Sequence, residues 1–223
     1  MADSPPDTDV EHESEDDLAS ESEAPAGLDP ARLERRDAAL AQVVKFGDPV
    51  LRSVASPVQE FDRSLAEDVE RMSDLMQEGM GVGLAATQLG ILRRILVFQA
   101  GADAPVTALI NPEIEWSSEE NRATAEEGCL SLPGVVVDVE RPLRIRVNAV
   151  DPGGEPLRIE AVGLEARVIQ HEVDHLDGVL MLQHAPKDQR RAALKALREG
   201  GTYAPEREPT ESDADEAEPS SVA

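Results

Sequence analysis

The sequence predicts an α+β protein built mainly of antiparallel sheet around a central helix, with a further helix at the C-terminal end. Three observations predict it. Short β-like runs cluster between residues 93 and 162, two of them joined by a tight turn, and a long helical pattern follows at 163–178. No regular strand–helix–strand alternation is present, which argues against a parallel sheet. The charge is concentrated at the ends, so one ordered unit is expected between two tails.

The chain has 223 residues and a formal charge of -25. Residues 1–37 hold 13 acids against 3 bases, and residues 204–223 hold 7 against 1. Both stretches are poor in apolar residues and cannot bury enough surface to offset the entropy of ordering. They read as disordered acidic tails flanking one ordered domain at 38–203. Acidic ends repel phosphates, so nucleic-acid binding through them is not expected. The N-terminus lacks a basic region followed by an apolar run, and no stretch is apolar enough to span a bilayer. A cytoplasmic protein is expected. The single cysteine, Cys129, excludes an internal disulfide framework.

Within the domain, "FGDPVLRSVASPV" (46–58) reads as loop and turn because of its Asp-Pro and Ser-Pro breaks. "SLAEDVERMSDLMQEGM" (64–80) reads as a helix with Ser64 as N-cap and a core stripe of Leu65, Val69, Met72 and Met76. "GVGLAATQLG" (81–90) is a glycine-rich loop without the lysine of a phosphate-binding loop. "RRILVFQ" (93–99) and "VTALI" (106–110) read as strands, the second stopped by Asn111-Pro112. "VVVDV" (135–139), "LRIRVNAV" (143–150) and "EPLRIEAV" (155–162) are three more, and "DPGG" (151–154) predicts that the last two form a hairpin. Arg144, Arg146, Arg158 and Glu160 fit its wet face.

"GLEARVIQHEVDHLDG" (163–178) has Leu164, Val168, His171 and His175 at helical spacing, and Gly178 is a stop signal. Residues four apart on a helix stand one turn above each other, so His171 and His175 can hold one ion together. Glu172 is rotated from that pair and can take a proton from a water held beside it. The central helix is therefore a metal-binding HExxH helix. "APKDQRRAALKALREGG" (185–201) reads as the C-terminal helix, with Lys187, Arg190, Arg191, Lys195 and Arg198 making it basic.

Two histidines do not complete a catalytic site, which wants three protein ligands and an open position. The extended zinc-protease pattern would place a third histidine where Met181 stands. His12 lies in the acidic tail, and His184 reads as a surface residue. Cys129, in "EEGCLSLPG" (126–134), is open to three roles: thiolate ligand, nucleophile or small core residue. A glutamate from another helix also remains open as third ligand. The HExxH helix alone equally fits an endopeptidase, and a structural metal module is a non-enzymatic alternative.

"GVGLAATQLG", "EEGCLSLPG" and "QHEVDHLDG" (170–178), in that order, resemble the three signature motifs of the peptide deformylases. "FGDPVLRSVASPV" and "LINPEI" resemble the family's opening and mid-chain segments, and the likeness covers roughly residues 42–200. The resemblance implies that Cys129, His171 and His175 hold one divalent metal, ferrous iron in the cell, with zinc, nickel or cobalt able to replace it. It implies Glu172 as acid/base, and Gln88 with the Leu130 N–H as oxyanion donors. Gly83, with Val82 and Gly128, would line the substrate groove. The implied reaction removes the N-formyl group from N-formyl-methionyl nascent polypeptides and releases formate. The last helix would dock on the ribosome; DNA and membrane are not expected partners.

Overall fold

The computed structural model describes residues 29–206. The acidic stretches at 1–28 and 207–223, read above as tails, lie outside the described residues. Helix α1 spans Pro30–Gln42. It runs through residues 30–37, which composition assigned to the tail, so the ordered unit starts earlier than residue 38. The local signals explain this: the Asp29 side chain accepts from Ala31 N at 3.3 Å, and Pro30 sits in the first turn, where its missing N–H costs nothing. Ala39 is then buried against α2, Arg63–Glu78. The N-cap of α2 is Asp62, not Ser64: its Oδ1 accepts from Leu65 N at 3.1 Å. Leu65, Met72, Leu75 and Met76 are the buried face of α2, with Val69 at its margin.

The strands are β1 Gly83–Ala85, β2 Ile95–Phe98, β3 Thr107–Ser117, β4 Arg122–Cys129, β5 Leu132–Pro142, β6 Arg144–Val150 and β7 Pro156–Val162. They form an antiparallel sheet in the order β1-β2-β3-β6-β7 and a separate β4-β5 hairpin. The expected β6-β7 hairpin is present, with Val150 opposite Pro156. Asp151 Oδ1 fixes its turn by accepting from Gly153 N and Glu155 N at 2.8 and 2.9 Å. Arg146–Glu160 and Arg158–Glu115 ion pairs lie on its solvent face.

Three strand expectations change, the first being that residues 83–85, read as part of a loop, form β1 and pair with β2. β3 does not stop at Asn111-Pro112 but continues to Ser117. Asn111 adopts φ 51°, the register shifts there, and its amide bonds both N–H and C=O of Val58 at 2.7 and 2.9 Å. A side chain that satisfies a neighbouring segment supports the bulge the proline imposes. β4 was not expected as a strand at all.

All four residues of β2 are buried, because both faces of the sheet are covered at this strand. Ile95 and Val97 face α2, whereas Leu96 and Phe98 join the cluster of helix α3, Leu164–Leu176. Ile169, Val173 and Leu176 anchor α3 there. Each fully buried Leu or Ile contributes roughly 1.5–3 kcal/mol. Leu164 is 55% exposed and does not continue the buried face that Val168, His171 and His175 form. It is the first residue of the helix. Past α3, Gly178 has φ 72°, and a side chain there would strike the Arg52 backbone. Helix α4, Lys187–Glu199, closes a third cluster with β5 through Ala193, Val137 and Val139. Among the described residues, no helix is long and apolar enough to cross a membrane.

Candidate metal centre

Burial of α3 through Ile169, Val173 and Leu176 leaves His171 and His175 on the face turned toward the β4-β5 hairpin. Their ring centroids are 5.0 Å apart. Cys129 ends β4, before a turn at Leu130-Ser131. One ligand atom from each of Cys129, His171 and His175 lies within 4.8 Å of the others, and Cys129 Sγ is 3.2 Å from His175 Nε2. These three residues therefore form a group able to hold a metal ion.

The donor set fits a divalent transition metal. One sulfur and two imidazole nitrogens suit iron, zinc, nickel or cobalt, and three protein donors leave a position for water. Nδ1 of His171 is 2.9 Å from Glu127 Oε2, which leaves Nε2 to the centre. Burial opposes the Cys129 thiolate, but the two histidines outweigh it and hold the thiol well below its usual range. Burial likewise pushes His171 down, and Cys129 and Glu127 overcome it, raising His171 well above an ordinary imidazole.

Glu172 is buried beside the centre, and its Oε2 has no hydrogen-bond partner among the described residues. Burial, partly countered by His171 and His175, pushes its carboxyl up to about 7. The carboxylate packs against Gly83 so closely that a Cβ at 83 would overlap it. That contact explains the glycine. Gln88 sits in the 3-10 turn Ala86–Leu89 after β1. Its Oε1 accepts from Ala85 N at 2.9 Å, which turns Nε2 toward Ser131 Oγ at 3.3 Å and Cys129 Sγ at 3.5 Å. Lys45 steadies the Leu130 turn, donating to Leu130 O at 3.2 Å.

A groove of about 430 Å³ opens over this cluster between residues 81–83 and 133–136. Gly83, Val82, Gly128, Leu130, Cys129, Gln88, His171 and Glu172 all line it; His175 lies behind them. At Gly128 no neighbour comes nearer than 3.8 Å to an added Cβ, so packing does not demand glycine there.

Sequence reasoning missed Glu127, Arg141 and Arg167, which support the site. Arg141 grips Glu127 at 2.6 and 2.9 Å, Arg167 reaches it at 2.7 Å, and Asp174 pairs with Arg141 at 2.9 Å. His184 is a surface residue as expected, and it pairs with Asp174 at 2.9 Å. Burial opposes the Glu127 charge, but His171 and Arg141 win and lower its carboxyl to about 2. No sequence signal pointed to Glu127, because β4 was not read as a strand and its register shifts between Gly128 and Cys129. Arg36 of α1, which also lines the groove, had none either.

A polypeptide deformylase family model matches residues 40–191. The chain is 47% identical over 154 residues to the peptide deformylase of a Parafrankia species, covering 69% of this chain and 83% of that protein. It is also 47% identical over 152 residues to the peptide deformylase of Thermotoga maritima, covering 68% and 91%. Among solved structures it resembles the peptide deformylase of Synechococcus elongatus in complex with actinonin. That likeness has a TM-score of 0.67 and 39% identity, and covers 72% of this chain and 88% of the other. The Thermus thermophilus enzyme gives 0.66 and 42%, covering 71% and 93%. With the three motifs gathered at one centre and the match spanning most of the described fold, the chain belongs to the polypeptide deformylase family.

Proposed function

We propose that this protein is a metallohydrolase that removes the N-formyl group from N-formyl-methionyl nascent polypeptides and releases formate. The observation that carries the reading is the convergence of Cys129, His171 and His175 beside buried Glu172, whose Oε2 has no hydrogen-bond partner among the described residues, beneath an open groove. Cys129, His171 and His175 hold the metal, with Fe2+ in the cell and Zn2+, Ni2+ or Co2+ fitting the same donors. When bound, the ion supplies Lewis-acid chemistry, polarising a water molecule and the formyl oxygen.

The chain's own residues do the rest. Glu172 takes the proton from the attacking water and delivers it to the amine as the formyl C–N bond breaks; the water oxygen leaves in formate. A carboxyl raised to about 7 can both accept and return a proton near neutrality. As the planar carbonyl becomes tetrahedral, Gln88 Nε2 and the Leu130 N–H donate to the oxygen that gains charge. An extended peptide lies alongside residues 81–83, where Val82 and Gly83 offer backbone, and passes Gly128 on the opposite wall. Backbone pairing is indifferent to side chains, which suits an enzyme that meets many N-termini in the cytoplasm.

Ribosome docking through α4 belongs to the same reading. Lys187, Arg191, Lys195 and Arg198 are exposed and recur every three or four residues on one face. Reversing Arg191 and Lys195 to Glu is expected to reduce co-sedimentation with ribosomes; unchanged sedimentation counts against docking. The activity itself is tested by formate release from formyl-Met peptides with anaerobically purified, metal-analysed protein. Metal-loaded protein that releases no formate rejects the reading.

A further inference from the structure

The groove has a wall that the family match barely includes. The match begins at residue 40, whereas α1 begins at Pro30. The helix is nonetheless firmly seated: Ala39 is buried, Arg71 Nη2 donates to Gln42 Oε1 at 3.1 Å, and Lys45 Nζ donates to Leu40 O at 2.7 Å. Leu33, Arg36 and Leu40 are its half-buried positions. Their spacing of three and four residues puts them on one face, and Arg36 and Leu40 line the groove.

Two arginines line the groove, and they differ in what they have left to offer. Arg167 is committed to Glu127 at 2.7 Å, Val139 O at 2.9 Å and Ala123 O at 2.7 Å. Arg36 meets only Asp37 among the described residues, at 3.6 Å, and that carboxylate is 73% exposed. Such a pair is weak because solvent screens it. A guanidinium carries five N–H donors in a fork that matches a carboxylate. Most of the groove is apolar side chain or backbone, neither of which distinguishes substrate charges; the exposed carboxylate residue in its lining is Glu126, on β4. Arg36 therefore presents a cation with unspent donors to whatever extends along the groove, in a chain whose formal charge is -25.

We propose that Arg36 is a specificity-determining residue that binds a carboxylate of the peptide downstream of the formyl-methionine. The inference rests on the deformylase reading. The carboxylate comes either from an acidic side chain in the first few positions or from the free C-terminus of a short peptide. Arg36 has no bond to Cys129, His171, His175 or Glu172 among the described residues, so it selects substrates rather than taking part in the chemistry.

The test uses the metal-loaded full chain and C-terminally amidated formyl-Met tetrapeptides with Glu, Gln or Lys at position two, three or four. A free-acid and amide pair of formyl-Met-Ala-Ala is run beside them. The readout is the ratio of kcat/KM for Glu over Lys peptides, and for acid over amide, so a uniform loss from misfolding cancels. At one position, or for the free acid, a preference of about fivefold is expected, shrinking at high salt. Arg36→Gln brings the ratio toward one, Arg36→Glu inverts it, and Arg36→Lys keeps part of it. The arm that responds identifies the source of the carboxylate. Ratios that neither Arg36→Gln nor Arg36→Glu changes overturn the assignment. No formate from any peptide instead removes the deformylase reading, and this inference with it.

Discussion

Nδ1 of His171 lies 2.9 Å from Oε2 of Glu127, and both groups are buried. That contact fixes which imidazole nitrogen faces Cys129. Glu127 is fixed in turn by Arg141, a cation buried to the same degree. The geometry of the centre thus depends on a buried charged pair outside the set of metal-holding residues.

Glu127→Gln is expected to weaken metal binding by about 10–100-fold, the usual cost of losing a carboxylate behind a ligating histidine. Glu127→Ala goes further, because Arg141 then loses its closest counter-charge. About 3–5 kcal/mol of stability is expected to go with it. Competitive metal titration and urea melts check the two parts separately.

The same carboxylate makes stability depend on pH. The folded Glu127 carboxyl is lowered to about 2 from an ordinary 4.5. A depressed carboxyl stabilises the fold above the unfolded pKa, and that contribution disappears as pH falls through the folded one. Chelator-treated protein is therefore expected to lose stability progressively between pH 4.5 and about 2, a window set by those two values. In urea melts across this range, Glu127→Gln should show a shallower fall. An identical pH slope in both proteins contradicts the prediction.

Gly83→Ala forces a methyl into the space of the Glu172 carboxylate. Overpacking of this kind costs about 1–3 kcal/mol. Displacing a reacting group by about 1 Å costs on the order of 100-fold in rate. Formate release should fall by about that factor, while the far-UV spectrum stays native.

Gln88→Ala removes a proposed oxyanion donor and is expected to lower kcat by about 100- to 1,000-fold. It also strips the acceptor from Ala85 N, so a modest loss of stability accompanies it. A kcat within a factor of a few of wild type would remove Gln88 from the mechanism.

These sites differed in how far the sequence revealed them. His171 and His175 were legible because helical period alone puts residues four apart on one face. The β6-β7 hairpin was legible because "DPGG" dictates a turn. Cys129 needed the family resemblance, since 42 residues separate it from His171 and no local rule spans that distance. Glu127 was hidden because the alternation in "RATAEEGC" rests on two alanines and breaks at Glu126-Glu127, so β4 was not read as a strand. Without the strand, the inward direction of Glu127 could not be seen. Arg141 was hidden for a related reason: its partner lies across the hairpin, and in the register it stands opposite Ala123 rather than Glu127. The start of α1 was lost because bulk charge outweighed the local Asp29-Pro30 signal.

Glu172→Gln separates metal binding from proton transfer at the centre. The variant keeps Cys129, His171 and His175 and nearly the same shape. It is expected to bind one metal per chain while formate release from formyl-Met peptides falls by about 100- to 10,000-fold, the usual contribution of an acid–base group. A metal-loaded Glu172→Gln protein that releases formate at the wild-type rate would contradict the account.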